Sequence, residues 1–228
     1  MRAELGKYFL NNKNFLEKLP EKISAIMQAG IVRFRVKKGR VLFQENSFPK
    51  GIYILKKGKV KIYSVNRDGR EQIMYIYCPG DIFGYRPLLY EGTHPVSAAA
   101  LEESTCDLIP REIFIELVEK SPELMRVMLR LVSSEFPVWV NKINVFAQQS
   151  VKSRVALGLL IVEKKYKVKG QPTEINLSRD DFAAYVGTVK ETLVRMLKEF
   201  KEKGILETQG RKIRILKPGA LEKIAEIG

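Results

Sequence analysis

The chain has 228 residues, which is enough for one large domain or two modest ones, and its composition is that of an ordinary globular protein. No apolar run reaches the roughly 18 to 20 residues that a membrane span needs. The N-terminal residues lack a signal-peptide pattern, so we expect a cytoplasmic protein without membrane contact. Two cysteines and one histidine leave little material for a zinc site or a catalytic triad, and we expect no enzyme.

The net charge of +14 is unevenly distributed along the chain. Residues 1–110 hold 18 Lys and Arg against 11 Asp and Glu, residues 111–149 hold 5 against 5, and residues 150–228 hold 17 against 10. The last third is therefore the most basic part per residue. A basic module fits a polyanionic partner, because each phosphate contact releases condensed counterions. The alternative is a lysine-rich solvated surface.

The first part of the chain has the pattern of an antiparallel β domain. Residues 4–27 are predicted as a helical lead-in with a helix start at Pro20, and from Ile31 the apolar period changes to two. An Asn66-Arg67-Asp68-Gly69 turn predicts a hairpin. Further short strands with glycine turns between many of them predict a β sandwich or jelly roll: 41–43, 52–55, 59–65, 72–77, 96–100 and 105–109.

A short helix is predicted at 111–119, and a long one begins after Ser121-Pro122, with the serine as cap and the proline at the first position. Its apolar residues are on average 3.5 apart, which is typical of a coiled-coil seam. Pro137 predicts a kink near 133–136. We expect the seam to pair with a second copy of the chain, the alternative being a core helix in a monomer. The predicted interface residues are Met125, Met128, Val132, Phe136, Trp139, Ile143 and Phe146.

Residues 178–203 predict two helices around a tight turn. Ser178 can cap the first helix, with Asp181 three residues later in a capping-box-like pattern, and Gly187 ends it because glycine readily adopts left-handed dihedrals. The second helix starts near Val189. Its apolar residues recur at three- and four-residue spacing: Leu193, Met196, Leu197 and Phe200.

Lys190, Glu191 and Arg195 fall outside that apolar face. The hairpin predicted at 205–216, directly behind the second helix, has the position of a wing. This arrangement is typical of a winged helix-turn-helix whose second helix enters the DNA major groove. The predicted class is α+β, with an effector-sensing jelly roll at 1–120, a dimerisation helix at 121–149 and a winged helix-turn-helix at 150–228.

The order of these parts resembles the Crp/Fnr family, the cyclic-AMP receptor protein and fumarate-nitrate-reduction regulators. The resemblance covers residues 31–216, and its most specific stretch is VGTVKETLVRML at 186–197, similar to the family's V-G-x-S-R-E-T-V-x-R-x-L. It implies a homodimeric transcription regulator that binds double-stranded DNA at two-fold symmetric half-sites. It also implies a small effector in the jelly roll and contact with RNA polymerase.

The same resemblance assigns roles in DNA binding. The family's base-reading Arg, Glu and Arg match Lys190, Glu191 and Arg195, and these side chains can reach guanine or phosphate, cytosine N4, and guanine O6 and N7 respectively. Val189 replaces the family's usual serine and can contact a thymine methyl group, so we expect a changed half-site. Other candidate DNA contacts are Arg179, Thr188, Arg211, Lys212, Lys152 and Arg154.

In the sensor domain the sequence departs from the family's nucleotide-binding pattern. The family binds the cyclic nucleotide with the glutamate of a G-E-L turn and the arginine of an Arg-Ser pair. At the matching positions this chain has neither the glutamate nor the arginine, so we expect an effector other than cyclic AMP. Arg86 can receive a different anion, the alternative being an arginine paired with a nearby carboxylate. The predicted effector pocket consists of Gly84, Tyr85, Arg86, Pro87, Leu88 and Ser97.

Other cofactors and functions follow from the same resemblance. The Fnr branch holds an iron-sulfur cluster on four cysteines, mostly N-terminal, and this chain has two cysteines, so we expect no such cluster. A haem-dependent gas or redox sensor is an alternative, with His94 or Cys78 as axial ligand. A ligand-binding module that does not bind DNA is a further alternative.

Overall fold

The computed structural model describes residues 4–167 and 173–226. Two short 3₁₀ turns, Glu4–Tyr8 and Phe15–Lys18, precede the first α-helix. The helices are α1 Glu21–Ala29, α2 Arg86–Leu89, α3 Arg111–Lys120, α4 Pro122–Gln148, α5 Val151–Tyr166, α6 Arg179–Val186, α7 Lys190–Glu202 and α8 Pro218–Ile224. The strands are β1 Val32–Val36, β2 Val41–Phe43, β3 Gly51–Lys57, β4 Val60–Val65, β5 Glu71–Tyr77, β6 Ile82–Phe83, β7 Ser97–Ala100, β8 Ser104–Pro110, β9 Ile175–Asn176, β10 Leu206–Gln209 and β11 Lys212–Ile215.

The chain divides into two compact units. The sensor unit consists of Leu10–Ser64 and Met74–Phe136, and the C-terminal unit consists of Pro137–Gly228 with Val65–Ile73 and the N-terminal residues up to Phe9. The boundaries differ from the predicted domains, because the tip of the β4–β5 hairpin groups with the C-terminal part and α4 contributes to both units. Within the described residues, no helix is long and apolar enough to cross a membrane.

Two four-stranded antiparallel sheets, in the orders β1-β8-β3-β6 and β2-β7-β4-β5, confirm the predicted jelly roll. The predicted strands match the observed ones to within two residues at either end, and the two-residue strand β6 was missed because it is too short to show a period. Aromatic rings fill the interior between strands of the two sheets. Phe43 of β2 lies 5.7 Å from Tyr53 of β3, and Tyr53 stacks on Phe83 of β6 at 5.2 Å. Large aromatic side chains therefore occupy the centre of this domain.

A second apolar cluster lies between the sensor sheet and its helices. It joins buried side chains of α1, β3, β6, β8, α3 and α4, among them Met27, Ile54, Phe114 and Met128. The helical members of this cluster lie on apolar faces that repeat every three to four residues, as expected for helices that cover a sheet. The start of α4 is thus part of the sensor core.

The predicted hairpin between β4 and β5 is confirmed. The Asn66 side-chain oxygen accepts from the backbone N–H groups of Asp68 and Arg70, at 3.0 and 2.9 Å. Gly69 has a φ of 76°, a left-handed conformation that glycine adopts without steric cost. The sequence signal succeeded here because all of these interactions are local.

The long helix α4 has two apolar stripes, and this corrects one interface prediction. The buried stripe consists of Leu124, Met128, Leu131, Glu135, Val138 and Lys142. The exposed stripe consists of Met125, Leu129, Val132, Phe136, Val140 and Ile143. Met128, predicted at the dimer interface, is 1% exposed and packs in the sensor core, whereas Leu129 is 64% exposed and was missed. Both stripes advance by three or four residues at each step, with the same average, so the period could not separate them. The helix runs through Pro137 without interruption, and the kink stays a prediction.

The C-terminal unit is built around α5, whose residues from Val155 to Val162 are all buried. Helices α6, α7 and α8 and the small sheet β10-β11-β9 complete it. At Gly158, α5 approaches α6 closely, because a Cβ atom there would lie 2.6 Å from Cγ1 of Val186. A hydrogen at this position lets the two helices pack closely.

We expect Gly158→Ala to destabilise the protein. A glycine-to-alanine change inside a helix ordinarily stabilises by about 1 kcal/mol, but here the new methyl group overlaps Val186, and overpacking costs about 1–3 kcal/mol. The urea midpoint of unfolding measures the change. Gly219→Ala in α8, which has no heavy atom within 4 Å of the new Cβ, is the matched control and should not lower the midpoint. Equal behaviour of the two variants would contradict the close packing.

Lys142 is a buried lysine in the half of α4 that belongs to the C-terminal unit. Its Nζ lies 5.6 Å from the centre of the Trp139 ring and 5.4 Å from that of Tyr185. Burial lowers the pKa of Lys142 to about 7, with a smaller contribution from the charge of Lys165. At neutral pH this amine is therefore near its titration midpoint.

We expect Lys142→Met to change how stability depends on pH. Between about pH 7 and the ordinary lysine pKa, the unfolded chain binds a proton at Lys142 that the folded chain has lost, so the stability of the unmodified protein rises with pH. The Met variant lacks this rise, which is at most about 1.4 kcal/mol per pH unit. Urea unfolding between pH 7 and 9.5 measures it. Lys201→Met, at an exposed lysine, should leave the pH dependence unchanged, and parallel curves for all three proteins would contradict the burial argument.

Candidate functional site

The helix-turn-helix begins and ends as the sequence predicts. The Ser178 hydroxyl accepts from the Asp181 N–H at 3.0 Å and caps α6, and the Ser178 hydroxyl and the Asp181 carboxylate are also in contact. Gly187 ends α6 in a left-handed conformation, with φ 68° and ψ 50°. The N–H of Thr188 then donates to the Ala183 carbonyl at 3.0 Å. The turn is thus held by local interactions, and α7 starts after Val189.

Arg154 of α5 holds the same turn from outside. Its guanidinium donates to the carbonyls of Val186 at 3.0 Å, Gly187 at 2.8 Å and Gln149 at 3.0 Å. These are carbonyls at the end of α6 and just after α4, which would otherwise lack helical partners. The sequence suggested Arg154 as a phosphate contact; in the structure it positions backbone around the turn.

Two further residues contact the helix-turn-helix at this turn: sequence reasoning missed Gln72 and placed Phe146 at the dimer interface. The Gln72 side chain, at the β4–β5 hairpin, donates to the Ala184 carbonyl of α6 at 2.7 Å. A Cβ atom at Gly187 would lie 2.7 Å from Cε1 of Phe146, near the end of α4. Gln72 and Ala184 are 112 positions apart, so no local pattern could have paired them. Gly187 is required here for space as well as for its conformation.

Helix α7 buries one face and exposes the other, as predicted. Leu193, Leu197 and Phe200 are buried. On the exposed side, the first two turns carry the predicted base-reading positions: Val189, Lys190, Glu191 and Arg195. Lys190 pairs with Asp180 of α6 at 3.0 Å, and both side chains are more than half exposed. A pair so exposed is weak and can exchange for a phosphate or a base.

The wing is tied to the start of α6. Strands β10 and β11 pair through Gln209 and Lys212, and the loop between them has two residues. The Arg179 guanidinium donates to the carbonyls of Gly210 and Arg211 in this loop, at 3.0 and 3.1 Å. Arg179 therefore brings the exposed side chains of Arg211 and Lys212 next to the N-terminus of α6. The Lys212 ammonium also lies 2.7 Å from the Glu174 carboxylate.

In the sensor unit, the structure pairs Arg86 with a carboxylate. Arg86 Nε and Nη2 lie 2.9 and 2.5 Å from Glu135 Oε2, and the Tyr85 hydroxyl donates to Oε1 of the same group. Burial by itself would lower the pKa of Arg86, yet the neighbouring Tyr77, Tyr85 and Glu135 raise it above its ordinary value. The alternative that Arg86 pairs with a nearby carboxylate is the one observed. Sequence reasoning missed Glu135, because its place in the buried stripe of α4 is visible only in the structure.

The other predicted pocket residues lie in different parts of the sensor unit. Gly84 has a φ of 81°, and a Cβ there would lie 2.8 Å from the Tyr53 ring. Pro87 and Leu88 of α2 are buried. Ser97 begins β7 in the other sheet, and its hydroxyl accepts from the Glu45 N–H at 2.9 Å. Tyr85, Arg86 and Leu88 thus belong to the core around α4, and Ser97 is engaged elsewhere.

These contacts do not fit a cyclic nucleotide or an iron-sulfur cluster. Arg86, the arginine of the predicted pocket turn, is already bound by Glu135, and this turn contains no glutamate. Cys78 and Cys106 are both buried thiols, and burial raises the pKa of Cys106 to about 12. Residues 4–167 and 173–226 contain no group of three or more His, Cys, Asp or Glu side chains arranged to hold a metal.

Haem does not fit His94 either. The ring stacks on Phe43 at 3.7 Å with an angle of 9° between the planes, and the residue is 2% exposed. Its Nε2 has no partner among the described residues and no accessible surface, so an iron atom at bonding distance would displace core atoms. Burial lowers the pKa of His94 to about 4, which keeps the ring neutral. His94 is a core residue.

Two family models match the chain. A cyclic nucleotide-binding domain matches residues 33–121, and a Crp-like helix-turn-helix domain matches residues 153–224. Together they cover most of the chain, and they fall on the jelly roll and on the winged helix described above.

Curated relatives and solved structures agree with these models. The chain is 31% identical over 193 residues to the fumarate and nitrate reduction regulatory protein of Escherichia coli K12, covering 83% of this chain and 77% of that protein. It is 31% identical to the anaerobic regulatory protein of Haemophilus influenzae, covering 79% and 71%. FixK2 from Bradyrhizobium japonicum shares the fold, with a TM-score of 0.77, 24% identity, and coverage of 85% of this chain and 96% of that one. The chain therefore belongs to the Crp/Fnr family of DNA-binding transcription regulators.

Proposed function

We propose that this regulator is a homodimer that reads a two-fold symmetric DNA site with α7 and the wing of each subunit. The observation that carries the proposal is the exposed half of α7. Its first two turns present Lys190, Glu191 and Arg195 to solvent while Leu193 and Leu197 anchor the helix in the core. The N-terminal residues of a recognition helix are those that reach base edges.

Each exposed side chain has a matching base edge. Arg195 can donate two hydrogen bonds to guanine O6 and N7, and Glu191 can accept from cytosine N4. Val189 is 45% exposed and offers methyl groups to a thymine methyl. Lys190 exchanges Asp180 for a guanine or a phosphate. The family's usual contacts include a serine and an arginine where Val189 and Lys190 stand, so the half-site differs.

The phosphate contacts of this proposal lie at the ends of α6 and of the wing. Arg211 and Lys212 are exposed at the wing tip, next to Arg179, and Thr188 is half-buried in the turn before α7. Lysine and arginine side chains at these positions add a salt-dependent, sequence-independent part to DNA affinity. Arg154 is not part of this set, because it binds backbone carbonyls.

The exposed stripe of α4 supports the homodimer. Phe136 and Ile143 are 70% and 65% exposed, and the stripe advances by three or four residues at each step, so that its members share one side of the helix. A second copy of the same helix buries such a stripe by two-fold symmetry. Two subunits then place their α7 helices at half-sites about one DNA turn apart, roughly 34 Å. This arrangement requires a palindromic operator.

The rest of the proposal follows from family membership. We place the protein in the cytoplasm with the chromosome, in contact with RNA polymerase, and without catalytic activity. Control by a small effector other than cyclic AMP in the jelly roll stays a prediction. The contacts around His94 and in the helix-turn-helix favour neither a haem sensor nor a module that does not bind DNA.

We expect Arg195→Ala to lower affinity for the operator by about 1–3 kcal/mol and to leave binding to random duplex nearly unchanged, because a base contact is lost and the phosphate contacts stay. The operator is first selected from random duplex DNA by repeated binding and amplification. Fluorescence polarisation at several salt concentrations then measures both affinities.

Lys201→Ala is the matched control for Arg195→Ala. It removes a positive charge from the last turn of the same helix, and it should not change the preference for operator over random DNA. Equal losses of operator and random affinity in Arg195→Ala would show that this residue contacts only phosphate. If the unmodified protein fails to bind duplex DNA at low salt, or binds with a salt slope near zero, the DNA-binding proposal is wrong.

We expect Phe136→Asp with Ile143→Asp to give folded monomers in multi-angle light scattering. Both side chains are mostly exposed in one subunit, so their replacement leaves the core intact, whereas two buried carboxylates at a dimer seam are very unfavourable. Phe48→Asp, at an apolar residue that is 77% exposed but lies between β2 and β3, should remain dimeric. A dimer that survives the double change would contradict the proposed interface.

A further inference from the structure

The sensor unit contains a carboxylate–arginine pair at the place where the sequence predicts the effector pocket. Glu135 of α4 receives Arg86 Nε and Nη2 on Oε2 and the Tyr85 hydroxyl on Oε1. Both oxygens of the carboxylate are thus hydrogen-bonded. Charge-assisted bonds of this kind are the strongest that a carboxylate makes in a protein.

The pair is enclosed by protein. The side chain of Glu135 is 2% exposed and that of Arg86 is 27% exposed, and Tyr85 is fully buried. A carboxylate in such surroundings is stable only with its partners in place, because removing one partner leaves a buried charge without compensation. Arg86 and Glu135 therefore depend on each other.

The pair also joins two elements that are distant in sequence. Arg86 is the first residue of α2, directly after β6 and Gly84, whereas Glu135 is 49 positions later, in the buried stripe of α4. The next residue, Phe136, belongs to the exposed stripe that the proposed dimer buries. The rotation of α4 that satisfies Arg86 is thus the rotation that presents Phe136 outward.

We infer that Glu135 is a built-in ligand of the sensor domain: its carboxylate binds Arg86 as the anionic group of an effector would, and it holds α4 in its dimerising orientation without any bound small molecule. The inference rests on the proposed function for one readout, DNA affinity. It has a second readout that is independent of DNA. Arg86 is then unavailable to phosphates, cyclic nucleotides and small carboxylates, because Glu135 already binds it.

The independent readout is anion binding by isothermal titration calorimetry. The probes are cyclic AMP, inorganic phosphate and acetate, added to protein that has been unfolded in guanidinium, dialysed and refolded to remove bound molecules. The unmodified protein should give no binding heat with any of the three. Glu135→Ala, which removes the internal carboxylate and leaves a cavity beside Arg86, should bind acetate.

The second measurement is the operator affinity of the same variants. Stripped, unmodified protein should bind the selected operator as tightly as untreated protein. Glu135→Ala should lose operator affinity by about tenfold or more, a size typical of coupling between two sites, and acetate should restore part of it. Rescue by a free carboxylate separates a ligand-like role from ordinary packing. Glu116→Gln, at an exposed glutamate paired with Lys120 in the same unit, is the matched control and should behave as the unmodified protein.

Three results would overturn the inference. They are binding of any of the three probes by the stripped, unmodified protein, loss of operator affinity on stripping, and a folded Glu135→Ala protein that binds no acetate. If Glu135→Ala fails to fold, Glu135→Gln keeps the volume of the side chain without its charge, and its operator affinity should fall in the same way. If the unmodified protein binds no DNA at all, the proposed function fails, and the calorimetric comparison alone decides the inference.

Discussion

The two apolar stripes of α4 are the constraint on which the rest of the molecule depends. Both advance by three or four residues at each step, and most members of one stripe directly follow a member of the other, which places the two stripes about 100° apart around the helix. The buried stripe contains two ionisable residues, Glu135 and Lys142, in positions where apolar residues would be expected. Each meets a specific environment: Glu135 meets Arg86 and Tyr85 in the sensor unit, and Lys142 meets the rings of Trp139 and Tyr185 in the C-terminal unit. Such residues restrict the helix to the rotation that satisfies them, because a buried charge tolerates little misplacement.

The helix-turn-helix depends on a different constraint, which is the close packing around the turn between α6 and α7. Gly187 is needed both for its left-handed conformation and for its contact with Phe146, and Arg154 holds the surrounding carbonyls. Every one of these partners lies outside the helix-turn-helix itself. The helix-turn-helix is therefore positioned by α5, by the end of α4 and by Gln72 of the β4–β5 hairpin, and the exposed residues of α7 are left free for the proposed DNA contacts.

The sensor domain retains the fold of the matched cyclic nucleotide-binding domain, and its pocket turn departs from the family's nucleotide-binding pattern. The jelly roll is intact, yet its interior contains stacked rings of Tyr53, Tyr77 and Phe83 with centroids about 5 Å apart. The single arginine of the pocket turn is bound by a carboxylate of the same chain. A site whose charge is already satisfied gains little from an anionic ligand, because the ligand must first displace a well-bonded group. The same scaffold can thus support regulation that differs from nucleotide binding.

The sequence by itself determined the element order, the jelly roll, the capped helix-turn-helix, the wing and the outward direction of Lys190, Glu191 and Arg195. Each of these depends on local chemistry or on a hydrophobic period, which a single chain segment displays. The domain boundaries at 120 and 150 stay a prediction, and the two compact units divide the chain differently, with α4 shared and the β4–β5 tip in the C-terminal unit. Only the tertiary structure decided that Met128 is a core residue and Leu129 an exposed one, that Arg86 pairs with Glu135, and that Arg154 and Gln72 hold the turn. A period shows that a helix has an apolar side but not what covers it, and pairs that lie 32 to 112 positions apart are brought together only by the fold.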